Sequence, residues 1–583
     1  EDVAAIRSSA KTQWGKKIIA DLEQKVKERR KHSLEVPKEE GGHFHDYFCP
    51  VHNLQFTFRW DKPLAQYCSA CDKEWIGNNR YDWAWIYEVH MLNRDYMYQC
   101  MYLYLATGKR QYADYIRTML LDYAGKYAGW FEHNSGRKAT DQHSGKAFAQ
   151  SLDEANWATK VAMAYMAIKP VLSKEEVKAI EEGYLQPAAT LLLHRPAGAN
   201  WQMWHNSGLA ALGIALENDS IVDVAINKDK YGYHYLIGKH KNSDGWINEG
   251  SPHYHYYPLE ALLFTANAVK CRGIKLFDKD LHDMFVEPVK GTYPDLSFPA
   301  HSDGWYGANL LSQSALYEVG NARYNDPFLK RVLELTYAQK KRLDPEALLS
   351  NQLIKASEES LLQKSYSFDT SGFCLLRSDT RTVVLKFGGE GIGHGHPDKL
   401  SITIHDGKNE LVSDFGTSGY GVPDYLKWYK RTLSHNTVTV DAKDQKRSVG
   451  KLLKFNPRSD GGYAEAETTT AYPGVRMKRS LDLKGTHLQD VYTCTSDSSH
   501  LYEYVILFNE KPLMDGQPTA TTLTGSEVHE RIHNIFSYPH KSGFTCRTSS
   551  ASVQFDIPEG EVMEVVLGEA SGIPANPTVK DGP

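Results

Sequence analysis

Residues 393–399 read Gly-His-Gly-His-Pro-Asp-Lys, so His394 and His396 stand one residue apart among glycines, with Asp398 close behind. Imidazole and carboxylate are the side chains of proton transfer and of metal ligation. Asp414, in Val-Ser-Asp-Phe-Gly, and His435, in Leu-Ser-His-Asn, follow downstream. Two histidines and one aspartate, His396, Asp414 and His435, suit zinc with water completing the shell. Taken singly, each is more often a satisfied core or surface residue. On neighbouring strands of one sheet they can converge, with His394 turned toward a cleft.

Three other clusters carry chemistry. Cys49-x-x-His52 followed by Cys68-x-x-Cys71 has the spacing of a zinc ribbon, and four protein ligands would make a closed structural site. A disulfide in an exported protein and reduced buried thiols are the other readings. Asn200, Gln202, His205 and Asn206 gather where a loop enters a helix, and side chains of these types can hydrogen-bond a carboxylate. The plainer reading makes Asn200 a helix cap and His205 an interior histidine. Finally, His253, Tyr254, His255, Tyr256 and Tyr257 follow a Gly/Pro turn. Five ring-bearing polar residues in a row are hard to bury with every polar atom paired, so some should face a cleft. A tyrosine there serves as a general base if nearby positive charge lowers its pKa.

The elements that must position these residues change character along the chain. Up to about residue 362 the apolar residues recur at three and four, as in "QYADYIRTMLLDYAGKYAGW" and "QSLDEANWATKVAMAYMAI". "LSKEEVKAIEEGY" begins with Ser173 as N-cap and acids in its first turn. The joints hold Gly, Pro and Asn, and no tight period links the hairpins, which favours an incomplete (α/α) toroid over a solenoid. From about 363 to 583 short alternating runs such as "RTVVLKFGG", "LSITIHDG" and "HNTVTVD" predict antiparallel strands and a β-sandwich. The expected fold class is α+β, with domains 1–362 and 363–583 and a small Cys/His insertion near 43–75.

Bulk properties exclude some classes. A chain of 583 residues exceeds one ordinary core. A net charge of −5 gives no global basic field for nucleic acid, and no apolar run reaches the roughly 18 residues of a membrane span. The 35 tyrosines and 12 tryptophans suit stacking on sugar rings and equally suit a large helical core. The chain opens on "EDVAAIRSSAK", read as cytosolic or as a mature chain whose signal peptide is gone.

The stretch "GHGHPDKLSITIHDGKNELVSDFG" with "KRTLSHNTV" resembles the β-domain signature of the heparinase II/III superfamily of polysaccharide lyases. "YDWAWIYEVHMLNRDYMYQCMYLYLATGKRQYADYIRTMLLDYA" resembles the family's helical toroid. The resemblance implies structural zinc on His396, Asp414 and His435, and His394 facing substrate. It implies Asn200 as the residue that neutralises the uronate carboxylate, with His205 as rival, and Tyr254 as the catalytic tyrosine, with Tyr256 as rival. Substrate contacts are expected from Gln150, Gln202, Asn206, His253, Tyr429 and Arg431. The Cys/His pairs are similar to those of the branch with exo-acting alginate and heparin or heparan sulfate lyases.

The implied reaction is β-elimination on an acidic polysaccharide, giving a 4,5-unsaturated uronate without a redox cofactor. Heparin or heparan sulfate is the first substrate expected, with Lys146, Lys427, Lys430 and Arg431 as sulfate contacts, and exo action. Alginate is the alternative. A carbohydrate-binding protein without turnover is a further one. A glycoside hydrolase would need two opposed carboxylates, for which Asp244 and Glu249 are available. The implied location is the periplasm or outside the cell.

Overall fold

The computed structural model describes residues 1–572, apart from 53, 139–142, 358–360, 362–363, 390, 421–422, 539–542 and 557–562. The fold is mixed α+β, helices first and antiparallel sheets after. The expected boundary at 362/363 lies outside the described residues. Two compact units emerge. One comprises Glu1–Lys241, Tyr256–Glu287 and Leu310–Ser360; the other comprises Asn242–His255, Pro288–Asn309 and Leu361–Pro583.

The first unit is helical. Asn79–Thr107, Arg110–Tyr127, Ser151–Ile168 and Ala199–Ala215 are its long helices. Ser151–Ile168 packs on Ala199–Ala215, where Gly208 brings the backbones together: a Cβ there would sit 3.3 Å from Ala155 Cα. Trp157 is fully buried among Tyr123, Tyr127 and Tyr184, with ring centroids 4.9–6.4 Å away. Much of the aromatic surplus is therefore core. Lys174–Ile180 starts in a capping box, Ser173 Oγ accepting from the Glu176 amide and Glu176 accepting from the Ser173 amide.

In the second unit, Tyr366–Phe368, Phe373–Arg377, Thr382–Lys386, Ser401–His405 and Glu410–Val412 form a five-stranded antiparallel meander. Lys451–Arg458, Gly461–Tyr472, Val475–Lys484 and His487–Ser496 form a four-stranded one. Residues of both meet in one apolar core, including Leu376, Leu385, Ile402, Ala464, Met477 and Leu483, so the two sheets make a sandwich. Segments 242–255 and 288–309 belong here through aromatic packing. The Trp246 ring lies 5.0–6.1 Å from His255, Phe298, Phe368 and Phe373. Arg377 clamps the second segment, donating to the carbonyls of Lys290 and Thr292.

Candidate active site and metal sites

The loop with His394 and His396 joins two adjacent strands, Thr382–Lys386 and Ser401–His405. Its near end is braced on 248–250: Gly391, at φ +52°, comes so close that a Cβ would lie 2.4 Å from the Glu249 carbonyl oxygen. Both histidines then meet one carboxylate. Asp303 takes His394 Nδ1 on Oδ2 and His396 Nε2 on Oδ1, each at 3.0 Å. Tyr420 and Tyr425 also donate to Oδ2, each at 3.0 Å, and Lys430 Nζ lies 3.9 Å from it. Burial alone would raise the Asp303 carboxyl. The bonds from the two histidines, with the charges of His396 and Lys430, hold it well below the usual carboxylate range.

Tyr254 completes this cluster. It sits in the first turn of the helix His253–Val269, its ring stacked on His394 with centroids 3.6 Å apart. Its hydroxyl meets that of Tyr420 at 2.5 Å, and Tyr420 is 37% exposed, so the cluster opens to solvent there. Burial raises the Tyr254 pKa; the hydrogen bond shared with Tyr420 opposes this, while Asp303 and Glu249 add to it. The expectation that positive charge lowers that pKa is therefore corrected: the charged neighbours are carboxylates, and the free site holds a neutral phenol.

The other residues named from sequence are distributed as follows. Tyr256 is buried, its hydroxyl 3.0 Å from that of Tyr317. His253 packs edge-on to Tyr254. Tyr429 is buried and donates to the Gly572 carbonyl, and Arg431 is tied to Asp444 and Glu527, so neither joins the cluster. In the helical unit, Gly198 rather than Asn200 is the N-cap of Ala199–Ala215, and Asn200 is 4% exposed. His205 is fully buried, and burial pushes its pKa down to about 4, so it is neutral at pH 7. Gln202 accepts from the Ala197 amide and donates to Asn206, which donates to the Tyr231 carbonyl; these two amides brace a loop. Gln150 donates to His43 Nε2 at 2.6 Å. Asp244 is held by Ser371, and Glu249 Oε2 faces His394 Nε2 at 3.7 Å.

Sequence reasoning missed Asp303, Tyr420 and Tyr425. Asp303 lies in "PAHSDGW", 91 residues before His394, and nothing local marks it.

Among the described residues, two groups have the composition and spacing to hold a metal ion. Asp398, Asp414 and His435 are all buried and each offers a ligand atom within 4.8 Å of the others. His435 Nδ1 is 3.1 Å from Asp414 Oδ2. The His396 ring is 5.2 Å from that of His435, and His396 Nδ1 and His435 Nε2 are buried without a hydrogen-bond partner. A metal would satisfy such atoms. Asp398 is already charge-paired with Lys386 and Lys399, and Lys386 also donates to Ser302. The donors therefore fit a divalent ion, with Asp398 a competing ligand to the expected His396. The second group is Cys49, His52, Cys68 and Cys71.

Comparison with known proteins agrees with this architecture. A family model for alginate lyase matches residues 89–286, and one for the heparinase II/III-like C-terminal region matches residues 361–548. An alginate lyase of Stenotrophomonas maltophilia is 29% identical over 476 residues, covering 73% of this chain and 63% of that one. An exo-oligoalginate lyase of Saccharophagus degradans is 26% identical over 485 residues, covering 73% and 64%. The chain thus spans just under two thirds of the length of these relatives. A crystal structure of heparinase III aligns with TM-score 0.55 at 15% identity, over 83% of this chain and 75% of that one. Among the described residues no helix is long and apolar enough to cross a membrane. Residues 89–286 are thus similar to alginate lyases, and residues 361–548 to the C-terminal region of heparinase II/III-like proteins.

Proposed function

We propose that the protein is a polysaccharide lyase that cleaves uronate-containing chains by β-elimination. The observation that carries this is the Tyr254–Tyr420 hydroxyl contact beside the His394 imidazole. In the elimination the C5–H and C4–O4 bonds break, the C4–C5 double bond forms, and O4 leaves with a proton. Two phenols in hydrogen-bond contact can pass a proton from one to the other. One then takes the C5 proton as its own moves on toward O4, and neither has to rest as phenolate.

Asp303 fixes His394 by its Nδ1, so Nε2, which faces Glu249 Oε2 at 3.7 Å, is the nitrogen a substrate group would meet. The developing charge on the uronate carboxylate needs donors, and His394 Nε2 is the side chain of this cluster that we assign to it; Asn200, to which the family resemblance gives the same task, belongs to the helical unit. A metal, which we take to be zinc, would be held by His435 and Asp414 with His396 or Asp398. When bound it supplies structure, tying the strands beneath the His394 loop.

Alginate is our substrate of first choice, in place of the heparin or heparan sulfate first expected. Of the four cations considered for sulfate, only Lys430 lies in the cluster. Arg431 is engaged by two carboxylates, and Lys146 donates to the Ala128 carbonyl. The alginate lyase relatives match over 73% of the chain, which supports the same choice. Exo action and a periplasmic or secreted location, where such polymers are met, complete the proposal. The test is to incubate the protein separately with alginate, heparin, heparan sulfate, hyaluronan and chondroitin and follow the near-ultraviolet absorbance of the unsaturated uronate. Growth on alginate alone supports the proposal. Growth on heparin alone overturns the substrate assignment, and no growth on any polymer means a binding protein.

A further inference from the structure

Among the described residues, the lobe spanning 43–76 has little regular structure. Its regular structure is a short turn of helix, Phe44–Asp46, and the hairpin Ala65–Cys68/Lys73–Ile76. Its buried apolar core is Tyr47, Cys49, Phe56, Cys68 and Ala84, the last belonging to the helix Asn79–Thr107. Lobes this small usually need a staple.

Four potential ligands converge there. Cys49 Sγ is 3.5 Å from Cys71 Sγ and 3.9 Å from His52 Nδ1. His52 Nδ1 is also 3.0 Å from Cys71 Sγ and 3.9 Å from Cys68 Sγ. All three cysteines are free thiols. A sulfur pair at 3.5 Å is too far for a disulfide, whose bond is about 2.05 Å. A tetrahedral zinc with bonds of about 2.3 Å to sulfur and 2.0 Å to nitrogen places its ligand atoms about 3.5–3.8 Å apart. The separations in the lobe bracket that range. The ligands come from two places, the turn at 49–52 and the hairpin end at 68–71, so an ion would tie the two together.

We propose that Cys49, His52, Cys68 and Cys71 bind one zinc ion as a closed structural site that fastens this lobe. The site is separate in sequence and in unit from the Asp414/His435 group, and it takes no part in the elimination. Loss of the ion would free the turn and hairpin from one another.

Cobalt(II) exchange on the full chain tests this. Thiolate ligands give cobalt intense ligand-to-metal charge-transfer absorption in the near ultraviolet, which the cysteine-free Asp414/His435 group cannot produce. Wild-type protein should show these bands, and Cys71→Ser and His52→Ala should weaken or abolish them; His52 is exposed and Cys71 half-buried. Elemental analysis of the two variants should find one zinc equivalent fewer than in wild type, and His435→Ala should keep the thiolate bands. Should either lobe variant fail to fold, two measurements on wild-type protein remain decisive. One is the cobalt spectrum, and the other is thiol titration of the unfolded, unreduced chain. Absent thiolate bands overturn the proposal, as does a pair of the three cysteines recovered as a disulfide.

Discussion

The imidazole of His394 lies on the phenol of Tyr254, ring centroids 3.6 Å apart and planes 16° from parallel. The stack fixes both rings by their faces and leaves their polar edges to the solvent-open side and to Asp303. Removing the Tyr254 hydroxyl would therefore take away a proton carrier and keep the stack. Tyr254→Phe should lower kcat by about 10²–10⁴, the range for a general acid or base. Its melting temperature should stay near that of wild type, because the ring and its packing remain. Most of the activity surviving in Tyr254→Phe but not in Tyr420→Phe would hand the central role to Tyr420.

Asp303 acts through others. It holds His394 and His396 on its two oxygens, so it couples the imidazole we assign to substrate to buried His396 beside the candidate metal group. Asp303→Asn keeps the shape and one acceptor but replaces the other by a donor facing His394 or His396. Loss of a carboxylate partner to a histidine typically costs 10–100-fold. We expect kcat to fall in about that range with KM changed little. A drop in melting temperature without a change in kcat would make Asp303 a purely structural residue.

Much of this arrangement was legible in sequence, and the illegible part has a physical reason. Ser173 and Glu176 announce a helix start through local bonds only, and the capping box is there. The alternation around "GHGHPDK" places its loop between two strands, as found. Alternation also predicts that His394 and His396 point to the same side, but not what they meet. Asp303 comes from 91 residues upstream, on a segment whose place is set by the aromatic packing of Trp246 and Phe298. Tyr420 gives no signal of its own among 35 tyrosines. Tyr256 and Tyr254 look alike in sequence; only burial separates a core hydroxyl on Tyr317 from one at the opening.

The metal group of the sandwich predicts a stability effect. Purified protein should contain zinc beyond the equivalent held by the cysteines, and His435→Ala should lose it. The same variant should melt lower than wild type, since Asp414 and Asp398 would keep their buried charge with one partner fewer. Full melting temperature in His435→Ala, with unchanged zinc content, would refute a metal at this position.

A half-buried acid in the helical unit predicts a pH effect. Asp153 is pushed up to about 7, first by burial, with the Tyr87 hydroxyl bond opposing and Glu154 adding. Its carboxyl is near 3.8 when unfolded, so between about pH 4 and 7 the folded state holds a proton that the unfolded state has lost. A raised acid contributes its stability in full below the unfolded value and loses it as pH rises through the folded one. Asp153→Asn removes this dependence and keeps an acceptor for Tyr87. Its melting temperature relative to wild type should climb from pH 4 to 7 and then level, at no more than about 1.4 kcal/mol per pH unit. A difference that stays constant with pH would show that Asp153 is ionised throughout.

Asn200 decides how the carboxylate is neutralised. The capping alternative made it a stability residue worth about 1 kcal/mol. That role falls to Gly198 in the structure, so Asn200→Ala has no cap to lose. If Asn200 donates to the uronate carboxylate, its contribution grows as negative charge develops in the transition state, and kcat should suffer more than KM. The loss of one such donor costs about 10²–10³ in rate, or roughly 3–4 kcal/mol. His394→Ala should fall in the same range or beyond it, because it also removes the stack on Tyr254. If both side chains act on one group, the double variant should lose less than the two effects combined; full additivity would separate their roles. Steady-state kinetics beside a melting curve separates the possibilities. An Asn200→Ala protein with wild-type kcat would leave the carboxylate to other donors. His205, fully buried and neutral but still carrying one N–H donor, would then be the next side chain to test.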